Sequence, residues 1–137
     1  MLITPRKTKF RKYFRPRGLP RPTFKPNKLR VLNCFALILK ESGYLEGRQV
    51  EAARQNIRRK IKREGRLEVL VSPEVPITKK PSAVRMGKGK GKVNQWITPL
   101  PAGRVIFKLY GISKKEGMPA LQSGAKKISL NLKVREL

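Results

Sequence analysis

The chain has 137 residues, the size of one domain, and sets 34 lysines and arginines against eight acids, for a formal net charge of +26. All eight acids are glutamate, and there is neither histidine nor aspartate. These absences exclude Ser-His-Asp and Cys-His catalysis, histidine-held metals and aspartate-held magnesium, and a single cysteine excludes an internal disulfide or a multi-cysteine zinc site.

So basic a chain repels itself and calls for a polyanion. Nucleic acid is the expected partner, because each neutralised phosphate releases condensed counterions. An anionic membrane surface would require an amphipathic helix with a broad apolar face, and no stretch supplies one. The apolar run VLNCFALIL is nine residues long, well short of the roughly 20 needed to span a bilayer. No apolar segment of the secretory kind follows the start. The opening is arginine-rich and acid-free like a mitochondrial presequence, but four prolines among residues 1–22 disfavour the helix a presequence needs.

Residues 1–30, MLITPRKTKFRKYFRPRGLPRPTFKPNKLR, contain no acid and several prolines. They cannot bury a core and read as an extended basic arm that becomes ordered on a partner. Phe10, Tyr13, Phe14 and Phe24 lie between cations, a pattern suited to stacking or wedging on RNA and against the alternative of a solvated tail. The candidate RNA contacts of the arm are Arg6, Lys7, Lys9, Phe10, Arg11, Lys12, Arg15 and Arg17.

Residues 31–137 read as a single domain. RVLNCFALILK at 30–40 predicts a buried strand, with Cys34 an inert core thiol, and ESGY a turn. GRQVEAARQNIRRKIKRE at 47–64 predicts a helix, because Val50, Ala53, Ile57 and Ile61 share one face and Gly65 stands where a C-cap belongs. Arg54, Arg58, Arg59, Lys62 and Arg63 spread over the rest. Seven basic residues against two acids favour RNA contact over a merely solvated face. RLEVLVS at 66–72 alternates like a strand, and PEVPITKKPSAVRM reads as a proline-punctuated connection carrying two further candidate contacts, Lys79 and Lys80.

RMGKGKGK follows: Arg85, Met86, Gly87, Lys88, Gly89, Lys90, Gly91 and Lys92. A Walker loop fails here, because Lys92 and Val93 stand where Gly-Lys-Ser/Thr would need to begin, and the G-x-G-x-x-G pattern fails at the same Lys92. What remains is a backbone able to take positive φ and approach a ligand closely, with long cations that contact phosphate without reading sequence. A flexible charged loop is the plainer alternative. VNQWIT (93–98) and RVIFKLY (104–110) predict strands joined by a PLPAG turn, with Trp96 as a core anchor rather than a base stack. Gly117, Pro119 and Gly124 disfavour a long helix at 113–127, although Pro119 could open a short one. ISLNLKVR alternates as a last strand. The sum is an α+β domain with a mostly antiparallel sheet and one or two helices on one face.

Four stretches carry a resemblance over nearly the whole chain: PRKTKFRK (5–12), GRQVEAARQNIRR (47–59), PITKKPSAVRMGKGKGKVNQW (76–96) and PAGRVIFKLYGIS (101–113). Together they resemble the bacterial and organellar large-subunit ribosomal protein family L sixteen, the third stretch being its most diagnostic loop. The resemblance implies a compact sandwich with a basic arm lying on large-subunit ribosomal RNA, among neighbouring large-subunit proteins. It implies a place beneath the central protuberance beside the stalk base, a part in shaping the aminoacyl-tRNA site, and entry late in subunit assembly. The loop Arg85 to Lys92 would point toward RNA near the peptidyl-transferase centre and the bound aminoacyl-site and peptidyl-site tRNAs. It implies no cofactor, no small-molecule substrate and no membrane insertion.

Two departures stand out. Residues 13–46 lack the family's glycine-rich pattern, so tRNA contacts from that region are not carried over, and SKKEGMPALQSGAKK replaces an alanine-rich second helix, predicting a short or broken one. Divergence around an intact loop points to an organelle, the mitochondrion before the plastid or a bacterial cytoplasm. The competing readings are a free-standing RNA-binding protein or chaperone and an RNA-modifying enzyme. The last lacks a catalytic acid, base or cofactor loop.

Overall fold

The structure, a computed structural model, describes residues 4–5, 7–15, 17–21, 34–62 and 64–136. Phe24 and the first residues of the strand expected at 30–40 lie outside them, as do Arg6 and Arg63. The elements run β1 (Cys34–Leu39), β2 (Gly43–Glu46), α1 (Gly47–Lys60), β3 (Arg66–Val69), β4 (Val75–Lys79), β5 (Lys92–Leu100), β6 (Val105–Tyr110), α2 (Lys114–Ala125) and β7 (Leu132–Glu136). They form a four-stranded sheet, β3-β6-β1-β7, and a three-stranded sheet, β2-β5-β4. Every described strand pairing is antiparallel, so the α+β reading holds, with two sheets and both helices present.

β1 is the hub. Phe35, Leu37 and Leu39 enter the core, and the register places Val134 beside Leu37 on one side and Phe107 on the other. Helix α1 adds Val50, Ala53, Ile57 and Ile61, the predicted face, all buried. Glu46 and Gln49 close its first turn as a capping box. The helix stops earlier than Gly65: Ile61 is the C-cap, and Lys62 itself takes the left-handed conformation after it, at φ +47°. Gly65 serves the following turn, at φ +61°, where an added Cβ would lie 2.3 Å from the Tyr110 carbonyl oxygen.

Three expectations are corrected. The turn at ESGY is confined to its first residues, because Gly43–Glu46 pair with Leu100 back to Ile97 as β2. The connection at 73–86 contains a strand, β4, in which Pro76 lies opposite Trp96. Proline is tolerated there because β4 is a sheet edge, where its missing N–H costs no ladder bond. Finally, α2 is one helix of 12 residues with Pro119 inside it. Pro119 leaves only the carbonyl of exposed Lys115 without its helical donor, and water can serve it. Gly124 permits close approach, since a Cβ there would meet Ile57 Cγ1 at 2.5 Å. Two of the residues that argued against a helix therefore let α2 pack closely, Gly124 on α1 and Gly117 on Phe35 of the sheet. The PLPAG turn joins its strands as expected but also switches the chain from the small sheet to the large one. Trp96 and Cys34 are both buried. No helix among the described residues is long and apolar enough to cross a membrane.

Candidate nucleic-acid interface

The described residues of the arm, 4–5, 7–15 and 17–21, have no regular secondary structure, and Lys7, Lys9, Phe10, Arg11, Lys12, Arg15 and Arg17 are all exposed. Two tyrosines tie it down. Tyr13 Oη donates to the Glu74 carbonyl at 2.8 Å, and Tyr44 Oη donates to the Gly18 carbonyl. The Arg15 guanidinium sits 4.0 Å from the centroid of the Tyr44 ring, a stacking geometry suited to its planar charge. Partial burial, aided by Glu74, raises the Tyr13 hydroxyl above its ordinary pKa.

The glycine-lysine loop meets the arm. Lys90 Nζ donates to the Tyr13 carbonyl at 2.8 Å and stands 4.6 Å from the centroid of the Phe14 ring. Lys12 Nζ reaches the Lys90 carbonyl at 3.4 Å, and Lys80 Nζ donates to the Gly87 carbonyl. Gly87, Lys88 and Gly89 follow one another at φ +93°, +54° and +80°. The glycines make this left-handed run affordable to the backbone, and Lys88 bears the strain of joining them. Arg85, Lys88 and Lys92 project from this scaffold into solvent, and Met86 is 99% exposed at its tip.

Sequence reasoning treated the loop cations as equivalent. The structure divides them: Lys80 and Lys90 donate to protein carbonyls, whereas Lys88 and Lys92 make no such bond among the described residues. Lys79 is exposed at the end of β4. On α1, Arg59 is exposed and Arg58 is half-buried, and Lys62, just past its end, is exposed. Arg54 instead forks onto Glu51, at 2.9 Å through Nε and 2.6 Å through Nη2, and that hydrogen bonding holds the Glu51 carboxyl below its usual range. Tyr44 escaped notice because GYLE is too short for its alternation to register as a strand.

The recess between β5 and the start of α1 is internally satisfied. Arg48 Nη2 donates to Glu46 Oε2 at 3.0 Å and to Gln95 Oε1 at 3.3 Å, and Gln95 Nε2 donates to Glu46 Oε1 at 3.1 Å. Among the described residues no three histidine, cysteine or acidic side chains gather as a metal would require. The arrangement is a cationic surface with exposed aromatic and apolar points, fit to bind a polyanion.

A family model described as "Ribosomal protein L16p/L10e" matches residues 5–135. The chain is 39% identical over 133 residues to the "Large ribosomal subunit protein uL16" of Caulobacter vibrioides, covering 97% of this chain and 92% of that protein. It is 39% identical over 129 residues to the protein of that name from Mesorhizobium japonicum, with 94% and 93% covered. It is 42% identical over 128 residues to that of Blochmanniella pennsylvanica, with 93% of each covered.

Proposed function

The chain belongs to the ribosomal protein L16p/L10e family, and we infer that it is a structural constituent of the large ribosomal subunit, with ribosomal RNA and ribosomal proteins as its partners. We further propose that residues 1–30 are an RNA-binding arm on a domain of residues 31–137, and that the segment 76–96 is its second RNA contact. The observation that carries this is the latch between them: Lys90 bonded to the Tyr13 carbonyl over the Phe14 ring. Arm and loop thereby present one surface, with Lys88 and Lys92 on the loop and Arg11 and Arg17 on the arm exposed around it. The charge screens crowded phosphates, and the left-handed glycines let the backbone come close. The proposal extends to that loop facing the aminoacyl-tRNA site near the peptidyl-transferase centre, with entry late in assembly, as the family resemblance implies.

We propose a mitochondrial ribosome as its location. The relatives named above are bacterial, and the support is the divergence of residues 13–46 and 113–127 around an intact loop.

Replacing Lys88 and Lys92 with alanine is expected to reduce the slope of log K against log salt for ribosomal RNA binding by about two, one per phosphate contact. Filter binding of the purified chain at a series of salt concentrations measures this. An unchanged slope would mean that both side chains face solvent in the complex.

A further inference from the structure

The four-stranded sheet has a second face, to which no described residue of the arm or the loop is hydrogen-bonded. Phe35, Leu37, Leu109 and Val134 point into the core, toward the helices. Side chains alternate across a strand, so their neighbours point the other way. The register then writes the outer face row by row: Glu68, Lys108, Ala36 and Arg135 lie abreast, flanked by Arg66, Tyr110 and Cys34 on one side and by Ile38 and Lys133 on the other. Hydrogen bonding confirms that two adjacent rows share this face, since Tyr110 Oη donates to Glu68 Oε2 at 3.1 Å.

This face carries four cations, Arg66, Lys108, Lys133 and Arg135, against one acid, and that acid is engaged by Tyr110. Arg66, Lys133 and Arg135 are exposed. Lys108 and Arg135 stand two strands apart, about 9.6 Å at the backbone, and Ala36 between them is fully covered, so the polar side chains form the accessible layer of this row. None of the large apolar side chains exposed among the described residues belongs to this face. That argues against a membrane or an apolar protein interface. The charge argues for phosphate, and the spread of four cations over three strands for an extended backbone rather than a point ligand.

We propose that the outer face of the β3-β6-β1-β7 sheet is a second RNA-binding surface, which grips the sugar-phosphate backbone of ribosomal RNA through Arg66, Lys108, Lys133 and Arg135. The inference rests on the ribosomal reading above and adds to it a chain that bridges two RNA segments, one at the arm and loop and one at the sheet. Such a bridge gives a physical use to a net charge of +26 that one surface does not consume.

The test uses the full chain and purified large-subunit ribosomal RNA. The triple variant Arg66→Gln, Lys133→Gln, Arg135→Gln changes only exposed positions and is expected to lower the salt slope by about three. Acetylation of lysines, read by mass spectrometry with and without RNA, should show Lys133 protected together with Lys88. If Lys88 is protected and Lys133 stays reactive, with an unchanged slope for the triple variant, the sheet surface is refuted and the ribosomal reading stands. If neither lysine is protected, the RNA reading itself fails. If Lys133 reacts in the RNA complex but is shielded in the assembled subunit, the face belongs to a protein partner and the proposal is overturned.

Discussion

Replacing Gly65 with alanine is expected to lower the melting temperature of the isolated chain by on the order of 10 °C. Two costs combine. Gly65 stands at φ +61°, where an L-residue loses about 1–2 kcal/mol. A Cβ would also lie 2.3 Å from the Tyr110 carbonyl oxygen and 2.5 Å from Ile112 Cγ1. A backbone carbonyl cannot rotate aside as a side-chain end can, so overpacking adds about 1–3 kcal/mol. Gly103→Ala is the control: that residue stands at φ +83° with no atom within 4 Å of a Cβ, so it should show the backbone cost alone. Thermal unfolding followed by circular dichroism compares the two. Equal shifts would mean that the turn before β3 relaxes around the new methyl group.

The contact between the two helices is expected to give the other large effect. Ile57 is fully buried, and Ile57→Ala should cost about 2–5 kcal/mol through lost transfer energy and the cavity left behind. Gly124→Ala should cost about 1–3 kcal/mol, because its Cβ would fall 2.5 Å from Ile57 Cγ1 and 2.7 Å from Cδ1. The double variant removes both of those atoms and supplies a methyl group in their place. It should therefore be more stable than the sum of the single losses predicts, by about 1 kcal/mol or more. Urea unfolding of the four proteins measures the coupling. Strict additivity would show that α2 shifts away from α1 rather than pressing on it.

The same pair shows why sequence reading succeeded where it did. Val50, Ala53, Ile57 and Ile61 lie on one face by spacing alone, and all are buried. Gly124 counted against a helix because its value lies in the neighbour it admits, and that neighbour is 67 residues away in the chain. Pro76 in β4 is the same kind of case. Its cost depends on whether the strand is an edge, which is a property of the sheet and not of PEVPITKK. At the candidate interface, composition pointed to a polyanion and RMGKGKGK to a close approach. It did not separate Lys90, which latches the arm, from Lys88, which does not. That distinction is made by Tyr13, 77 positions away along the chain. Arg54 likewise reads as a free cation until Glu51 folds beneath it.

The outer sheet face was hidden for a related reason. Arg66, Lys108 and Arg135 belong to three strands, and each strand taken alone shows only ordinary polar alternation. Their common surface exists once β1 pairs with β6 and β7, and β6 with β3.

A built-in part of the large ribosomal subunit sediments with that subunit. Sedimentation of a lysate through a magnesium-containing sucrose gradient, with detection of this chain, tests it most directly. Co-migration with the large subunit and the full ribosome, surviving a high-salt wash, is the expected result. Migration at the top of the gradient would contradict it and leave a free-standing nucleic-acid binder.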